Sequence, residues 1–253
     1  MASQIVFIGV LGLVLGSFFS VVAYRLPRGE SIVRPRSHCP SCKTQIANRD
    51  NIPLIGYIAQ RGRCRHCGAK IPITYPLLEA GLALAFIGCF LAFEDDVAEL
   101  GLALTFCSTL FVITVTDLEH RIIPNRVLIV SAAIGAAIAF PTDPEGIDER
   151  LIAAVAASGF LFLVAIAYKG GMGMGDVKLA AVMGLYLGRA VAPALLIGFA
   201  AGAIYGLALI ARRGAEARKS KVPFGPFLAL GGLVGLFAGD EIVDWYIDSF
   251  FDG

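Results

Sequence analysis

Residues 98–117, AELGLALTFCSTLFVITVTD, decide the fold. After Glu99 no charge interrupts the run until Asp117, and at about 1.5 Å per residue such a helix crosses a bilayer core of about 30 Å. In lipid only a helix or a closed barrel satisfies its own backbone, and a run this apolar without strict alternation reads as helix. The same ruler applied outward gives about eight candidate spans, at 4–23, 77–93, 98–116, 126–140, 151–168, 176–190, 192–211 and 224–239. Arg189 and Pro193 mark the break between the sixth and seventh, and Pro141, Pro144 and Pro223 punctuate other ends.

Composition points the same way. Of 253 residues, 57% are hydrophobic and 16% charged, with a mean hydropathy of +0.75. These values predict an all-α polytopic membrane protein. The net charge of +1 gives no reason to expect a nucleic-acid partner. Residues 5–23 lack the basic start and small-residue cleavage site of a secretory signal, so they read as a retained first span. Gly198, Gly202 and Gly206, and Gly231 with Gly235, recur at four-residue spacing, which suits close packing of helices in lipid.

Lys and Arg set the orientation. Residues 24–76 carry ten of the 21, and 212–222 carry five more: Arg212, Arg213, Arg218, Lys219 and Lys221. The alternate connections are acidic, Arg150 and Arg189 being the exceptions. Eight spans with both termini outside place both basic loops in the cytoplasm; seven would put one on the wrong side. The chain thus divides into a first span (1–23), a cytoplasmic module (24–76) and a membrane domain of about seven helices (77–253).

Within the module, Cys39-Pro40-Ser41-Cys42 and Cys64-Arg65-His66-Cys67 are two CxxC knuckles separated by 21 residues, a spacing that presents four thiolates tetrahedrally to Zn²⁺. A reducing cytoplasm argues against disulfides. Four sulfur ligands close the shell, so the zinc is structural. Arg36, Lys43, Arg63, Arg65 and Lys70 balance its charge. His38 and His66 adjoin the knuckles as alternative ligands or surface groups. Cys89 and Cys107, inside apolar runs, are small core residues.

Three carboxylates stand at span ends: Asp117 closing the third, Asp176 opening the sixth after Gly171, Gly173 and Gly175, and Glu79 beginning the second. Ionisable groups there face a cavity or a partner, or snorkel. If Asp117 and Asp176 meet, they share a proton and supply a base and an acid for attack of water on a peptide carbonyl. No Ser, Cys or Thr has a recognisable His partner, and no HExxH sequence occurs. Dipoles of the aspartates' own helices would favour an ionised Asp176 and a protonated Asp117. The glycines of 171–175 admit an extended substrate, with Lys178 as a local charge partner. A proton-coupled transporter or a zinc-stabilised adaptor are the readings from other classes.

Gly16-Ser17-Phe18, Tyr24-Arg25-Leu26-Pro27, the knuckles, Asn51-Ile52-Pro53, Tyr75-Pro76 with Glu79, the segment from Asp117 to Pro124-Asn125, and Gly-Met-Gly-Met-Gly-Asp-Val-Lys-Leu at 171–179 together resemble the type IV prepilin leader peptidases, over nearly the whole chain. The last motif resembles the family's GxGD signature. The resemblance implies cleavage of the basic leader of type IV pilins and type II secretion pseudopilins after a glycine, at the cytoplasmic face of the inner membrane. It further implies N-methylation of the new terminus with S-adenosylmethionine. It places catalysis on Asp117 and Asp176 and zinc on Cys39, Cys42, Cys64 and Cys67. Ser20, Ala47-Asn48 and Gly56 depart from family residues, which bears on methyl transfer rather than proteolysis. Glu79 is a candidate for substrate or methyl-transfer contact, or for an ion pair with a loop arginine. A basic leader gains nothing from a basic loop, so the loop meets anionic lipid headgroups, worth about 1 kcal/mol per nearby Lys or Arg. The substrate is then held by its apolar helix.

Overall fold

The computed structural model describes residues 1–167, 172–214 and 222–251. Its described helices are α1 (Ala2–Arg25), α2 (Ile55–Ala59), α3 (Thr74–Phe93), α4 (Val97–His120), α5 (Asn125–Thr142), α6 (Ile147–Ala167), α7 (Met174–Leu187), α8 (Val191–Arg213) and α9 (Gly225–Phe250). Among the described residues there is no β-strand, only two isolated bridges, His38 with Gln45 and Arg63 with Lys70. Among the described residues, seven continuous helical stretches are long and apolar enough to cross a membrane. One of them, Met174–Arg213, has 40 residues, about 60 Å of helix and twice the bilayer core. It breaks at the 3-10 turn Gly188–Ala190, where Gly188 takes φ +53°. Two described helices result, α7 of 14 residues and α8 of 23, with the break where Arg189 marked it.

The chain forms two compact units, Met1–Leu100 and Gly101–Gly253. In the first, α1 packs along α3 on glycines. A Cβ at Gly12 would come within 2.7 Å of Ala83 Cα, and one at Gly16 within 2.8 Å of Glu79 Cα, so the backbones touch where side chains would separate them. Buried Arg25, in the last turn of α1, donates to the carbonyls of Ser31 and Arg36 at 3.0 and 3.4 Å, which folds the departing chain back onto the helix end. Between α1 and α3 lies the four-cysteine module.

In the second unit, Phe106, Leu110 and Ile113 of α4, Leu128 of α5, Leu161 of α6, Leu179 and Met183 of α7 and Leu228 of α9 form one core. Gly184 lets α7 lie against α6, since a Cβ there would come 2.5 Å from Ala154 Cα. Gly198, Gly231 and Gly235 do the same for α8 and α9, and Gly202 faces Phe224; Gly206 meets nothing within 4 Å. A buried polar chain ties three helices: Thr109 donates to Ser131 Oγ at 2.8 Å, and Tyr186 donates to the Ser131 carbonyl at 2.7 Å. The two arginines that broke the acidic pattern are both engaged. Arg150 donates to the Tyr186 carbonyl at 2.9 Å and faces Asp143 at 3.6 Å, while Arg189 pairs with Asp240 and Asp244 at 2.9 and 2.8 Å.

Candidate active site and metal centre

The helix break at Arg121 shapes the first half of the site. α4 runs through Asp117 to His120, and Arg121 then takes φ +55°, a left-handed position that turns the chain away. Asp117 therefore sits in the last turn of α4, 6% exposed. Asp176 sits in the first turn of α7, 7% exposed. Its Oδ2 accepts the Gly173 N–H at 3.1 Å, half of a capping box.

Two contacts bring the segments together. A Cβ at Gly175 would stand 2.9 Å from Ile123 Cβ, so only glycine lets α7 start against the chain leaving α4. Lys178 Nζ donates to Asn125 Oδ1 at 3.0 Å, joining the second turn of α7 to the start of α5. These contacts bring the start of α7, which carries Asp176, against the chain that leaves the end of α4, which carries Asp117. Lys178 is engaged with Asn125 rather than with an aspartate. Gly173 adjoins Asp176, a Cβ there standing 3.3 Å from Asp176 Oδ2, and Gly175 packs against Ile123; Gly171 lies outside the described residues, as do the loop residues 215–221.

A third element was not anticipated. The Gly225 N–H, at the start of α9, donates to Asp117 Oδ2 at 2.8 Å. Gly225 has no side chain to spare: a Cβ there would lie 2.8 Å from the same oxygen. The only hint in the sequence is Pro223-Phe224-Gly225-Pro226, a glycine between prolines at a helix start. This contact also removes the asymmetry argued from helix dipoles. Asp117 lies at the negative end of its own helix but faces the positive end of α9, so each aspartate accepts one N–H from a helix N-terminus. Distinct acid and base roles do not follow from the helix ends.

In the first unit, the Cys39, Cys42, Cys64 and Cys67 sulfurs lie within 4.8 Å of one another and can hold a metal ion. The knuckles share one backbone pattern. Lys43 N donates to the Cys39 carbonyl and Gly68 N to the Cys64 carbonyl, each at 2.9 Å, with Lys43 at φ +58° where Gly68 has +71°. Hydrogen bonds from the Thr44 side chain and backbone draw the Cys42 thiol down to about 6. Cys67 is drawn down by the Ala69 N–H, but burial and the three neighbouring thiols outweigh this and push it up to about 11. Four sulfurs this close become four thiolates only with a cation among them, which fits the donor set of a closed tetrahedral site. His38 Nδ1 lies 3.1 Å from the Arg36 carbonyl. Asp50 braces the second knuckle through a two-point contact with Arg65, 2.7 and 3.1 Å, and the guanidinium holds its carboxyl below the ordinary 3.8.

Glu79 is buried in the second turn of α3, where its Oε2 accepts the Leu54 N–H at 2.7 Å. Among the described residues no arginine forms a salt bridge to it.

Fold and site define a polytopic α-helical membrane protein with two buried aspartates at the ends of adjoining helices and, in its first unit, a four-cysteine centre. Comparison with known proteins places it further. Residues 104–207 match the type IV leader peptidase family and residues 10–93 the bacterial peptidase A24 N-terminal domain. A prepilin leader peptidase/N-methyltransferase of Bacillus subtilis is 36% identical over 241 residues, covering 94% of this chain and 96% of that protein. Proteins of the same description from Myxococcus xanthus and Burkholderia pseudomallei are 38% and 33% identical, covering 83% and 93% of this chain and 64% and 86% of theirs. The chain belongs to the type IV leader peptidase family. No solved structure matches it.

Proposed function

We propose that this protein cleaves the basic leader of type IV prepilins and type II secretion pseudopilins after a glycine and N-methylates the new terminus. The observation that carries the peptidase reading is the convergence of buried Asp117 and Asp176 with the Gly225 amide. Two carboxylates brought to one site share one proton. The ionised member takes a proton from a water held between them, the hydroxide attacks the scissile carbonyl, and the protonated member donates to the departing amine. The Gly173 and Gly225 N–H groups each hold one carboxylate oxygen, Asp176 Oδ2 and Asp117 Oδ2, leaving the other oxygen of each for water and substrate. The prepilin's apolar helix lies beside the spans, with its cleavage site bent into 171–175.

Zinc is the metal the four cysteines suit, held by Cys39, Cys42, Cys64 and Cys67 in a structural role. For the methyl donor, S-adenosylmethionine, no set of described side chains forms a recognisable cradle, so methyl transfer rests on family membership. The basic residues of 24–76 and 212–222 support a site and metal module facing the cytoplasm of the inner membrane, with both termini outside. On this reading residues 1–23 are the first span, 24–76 the zinc module and 77–253 the peptidase domain.

The test is to incubate the purified protein in vesicles with a prepilin, with and without S-adenosylmethionine, and weigh the products. Cleavage, with a methyl-sized mass gain only when the donor is present, is expected. Asp117→Asn or Asp176→Asn should abolish cleavage while leaving bound zinc unchanged; unimpaired cleavage by either variant refutes the pair. Cleavage without the mass gain removes the transferase.

A further inference from the structure

The short helix α2 has a fixed depth. The Leu54 N–H that precedes it bonds Glu79 Oε2, and Glu79 lies five residues into α3, against α1 at Gly16. With about 1.5 Å of rise per residue, this start of α2 lies about 7 Å inside the end of α3 that faces the four-cysteine module. A 20-residue span matches the hydrocarbon core, so that level lies about 7 Å below the headgroup–acyl boundary, within the roughly 5–10 Å to which an interfacial helix buries its apolar face.

The facing of α2 is fixed as well. Gly56 is buried, with a hypothetical Cβ only 2.2 Å from the Asp50 carbonyl oxygen, so that side of the helix lies on the 3-10 turn Asn48–Asn51. Ile55 and Ile58, three residues apart and turned away from Gly56, are left 61% and 71% exposed, with Ile52 at 45%. Arg49, Arg61 and Arg63 flank them, exposed and in no salt bridge among the described residues. Branched aliphatic side chains bordered by exposed cations suit one occupant at this depth, an anionic bilayer surface.

We infer that α2 is an interfacial anchor. Ile52, Ile55 and Ile58 enter the headgroup–acyl boundary of the bilayer that α1 and α3 cross, Arg49, Arg61 and Arg63 meet anionic lipid phosphates, and the four-cysteine module is held down on the membrane. The inference rests on α1 and α3 being spans and is independent of the peptidase chemistry, so its readout need not involve cleavage.

Trp245 is the only tryptophan, so a Trp245→Phe chain carrying Ile58→Trp reports on α2 alone. The full-length protein is placed in phosphatidylglycerol/phosphatidylcholine vesicles containing lipids brominated near the headgroup or near the acyl end. Expected are blue-shifted emission and strong quenching by the shallow bromines, with weaker quenching by the deep ones. Water-like emission indifferent to both lipids overturns the anchor. Blue-shifted emission unquenched by either also overturns it, because protein then covers the face. Quenching undiminished in pure phosphatidylcholine overturns the part given to the arginines. Bound zinc verifies that the module is folded, and Ile55→Trp serves as the independent probe if Ile58→Trp loses its metal.

Discussion

Replacing Gly225 with alanine puts a methyl group into space that Asp117 occupies. On this backbone the new Cβ would lie 2.8 Å from Asp117 Oδ2, 3.1 Å from its Cβ and 3.2 Å from its Cγ. Unbonded heavy atoms are comfortable at about 3.5 Å, so the carboxylate must shift by about half an ångström. Oδ2 is also the atom that accepts the Gly225 N–H, so the same shift loosens a charge-assisted bond worth about 1.5 kcal/mol or more. A misplacement of about 1 Å can cost about 100-fold in rate. The combination predicts a 30- to 100-fold loss of kcat, about 2–3 kcal/mol, with little change in KM because the substrate's binding helix is untouched. The assay is the initial rate of prepilin cleavage in vesicles, followed by mass spectrometry, with metal held at the four cysteines and the thermal midpoint as folding controls. A rate within about threefold of wild type, under about 0.7 kcal/mol, would refute the claim that the start of α9 positions Asp117.

Gly184→Val drives a side chain into Ala154 and should wedge α6 from α7; a destabilisation of about 1–3 kcal/mol is expected, and an unchanged thermal midpoint would sink it. Tyr186→Phe removes the donor to the Ser131 carbonyl and should cost about 1 kcal/mol while retaining cleavage, measured by unfolding in bicelles. Asp50→Asn should speed amide hydrogen exchange around Cys64 at neutral pH. Because Arg65 depresses the folded-state pKa of Asp50, that support is present above the unfolded carboxyl value of about 3.9 and is lost as pH falls through the lower folded value. The difference between wild type and variant should therefore vanish in strong acid; a difference that persists there contradicts the ion-pair account.

Spans were legible because lipid selects on length and apolarity, which are local properties; residues 98–117 needed no partner to be read. The cysteine centre was legible for a related reason, since each knuckle's geometry is set within a few residues. What escaped was whatever depends on distant chain. The Gly225 contact with Asp117 joins positions 108 apart, so the dipole argument, which knew only each aspartate's own helix, assigned an asymmetry that α9 cancels. Arg150 and Arg189 looked like flaws in an acidic pattern because their partners, the end of α7 and the far turns of α9, become neighbours only on folding. Glu79 drew interest as a lone anion at a junction, and its carboxylate proves to be engaged by the Leu54 amide.

The place of Gly225 in the last long helix bears on biosynthesis. Both aspartates leave the ribosome well before α9, yet Asp117 gains its backbone donor only when that helix enters the membrane and packs against α8. On the proposed chemistry, a nascent chain still lacking α9 has an unfinished site, and activation is expected to coincide with completion of assembly. A chain stopped at residue 221 would carry both carboxylates and the metal module and is expected to be inert toward prepilin. If it cleaved at the full rate, the last helix would have no part in switching the enzyme on.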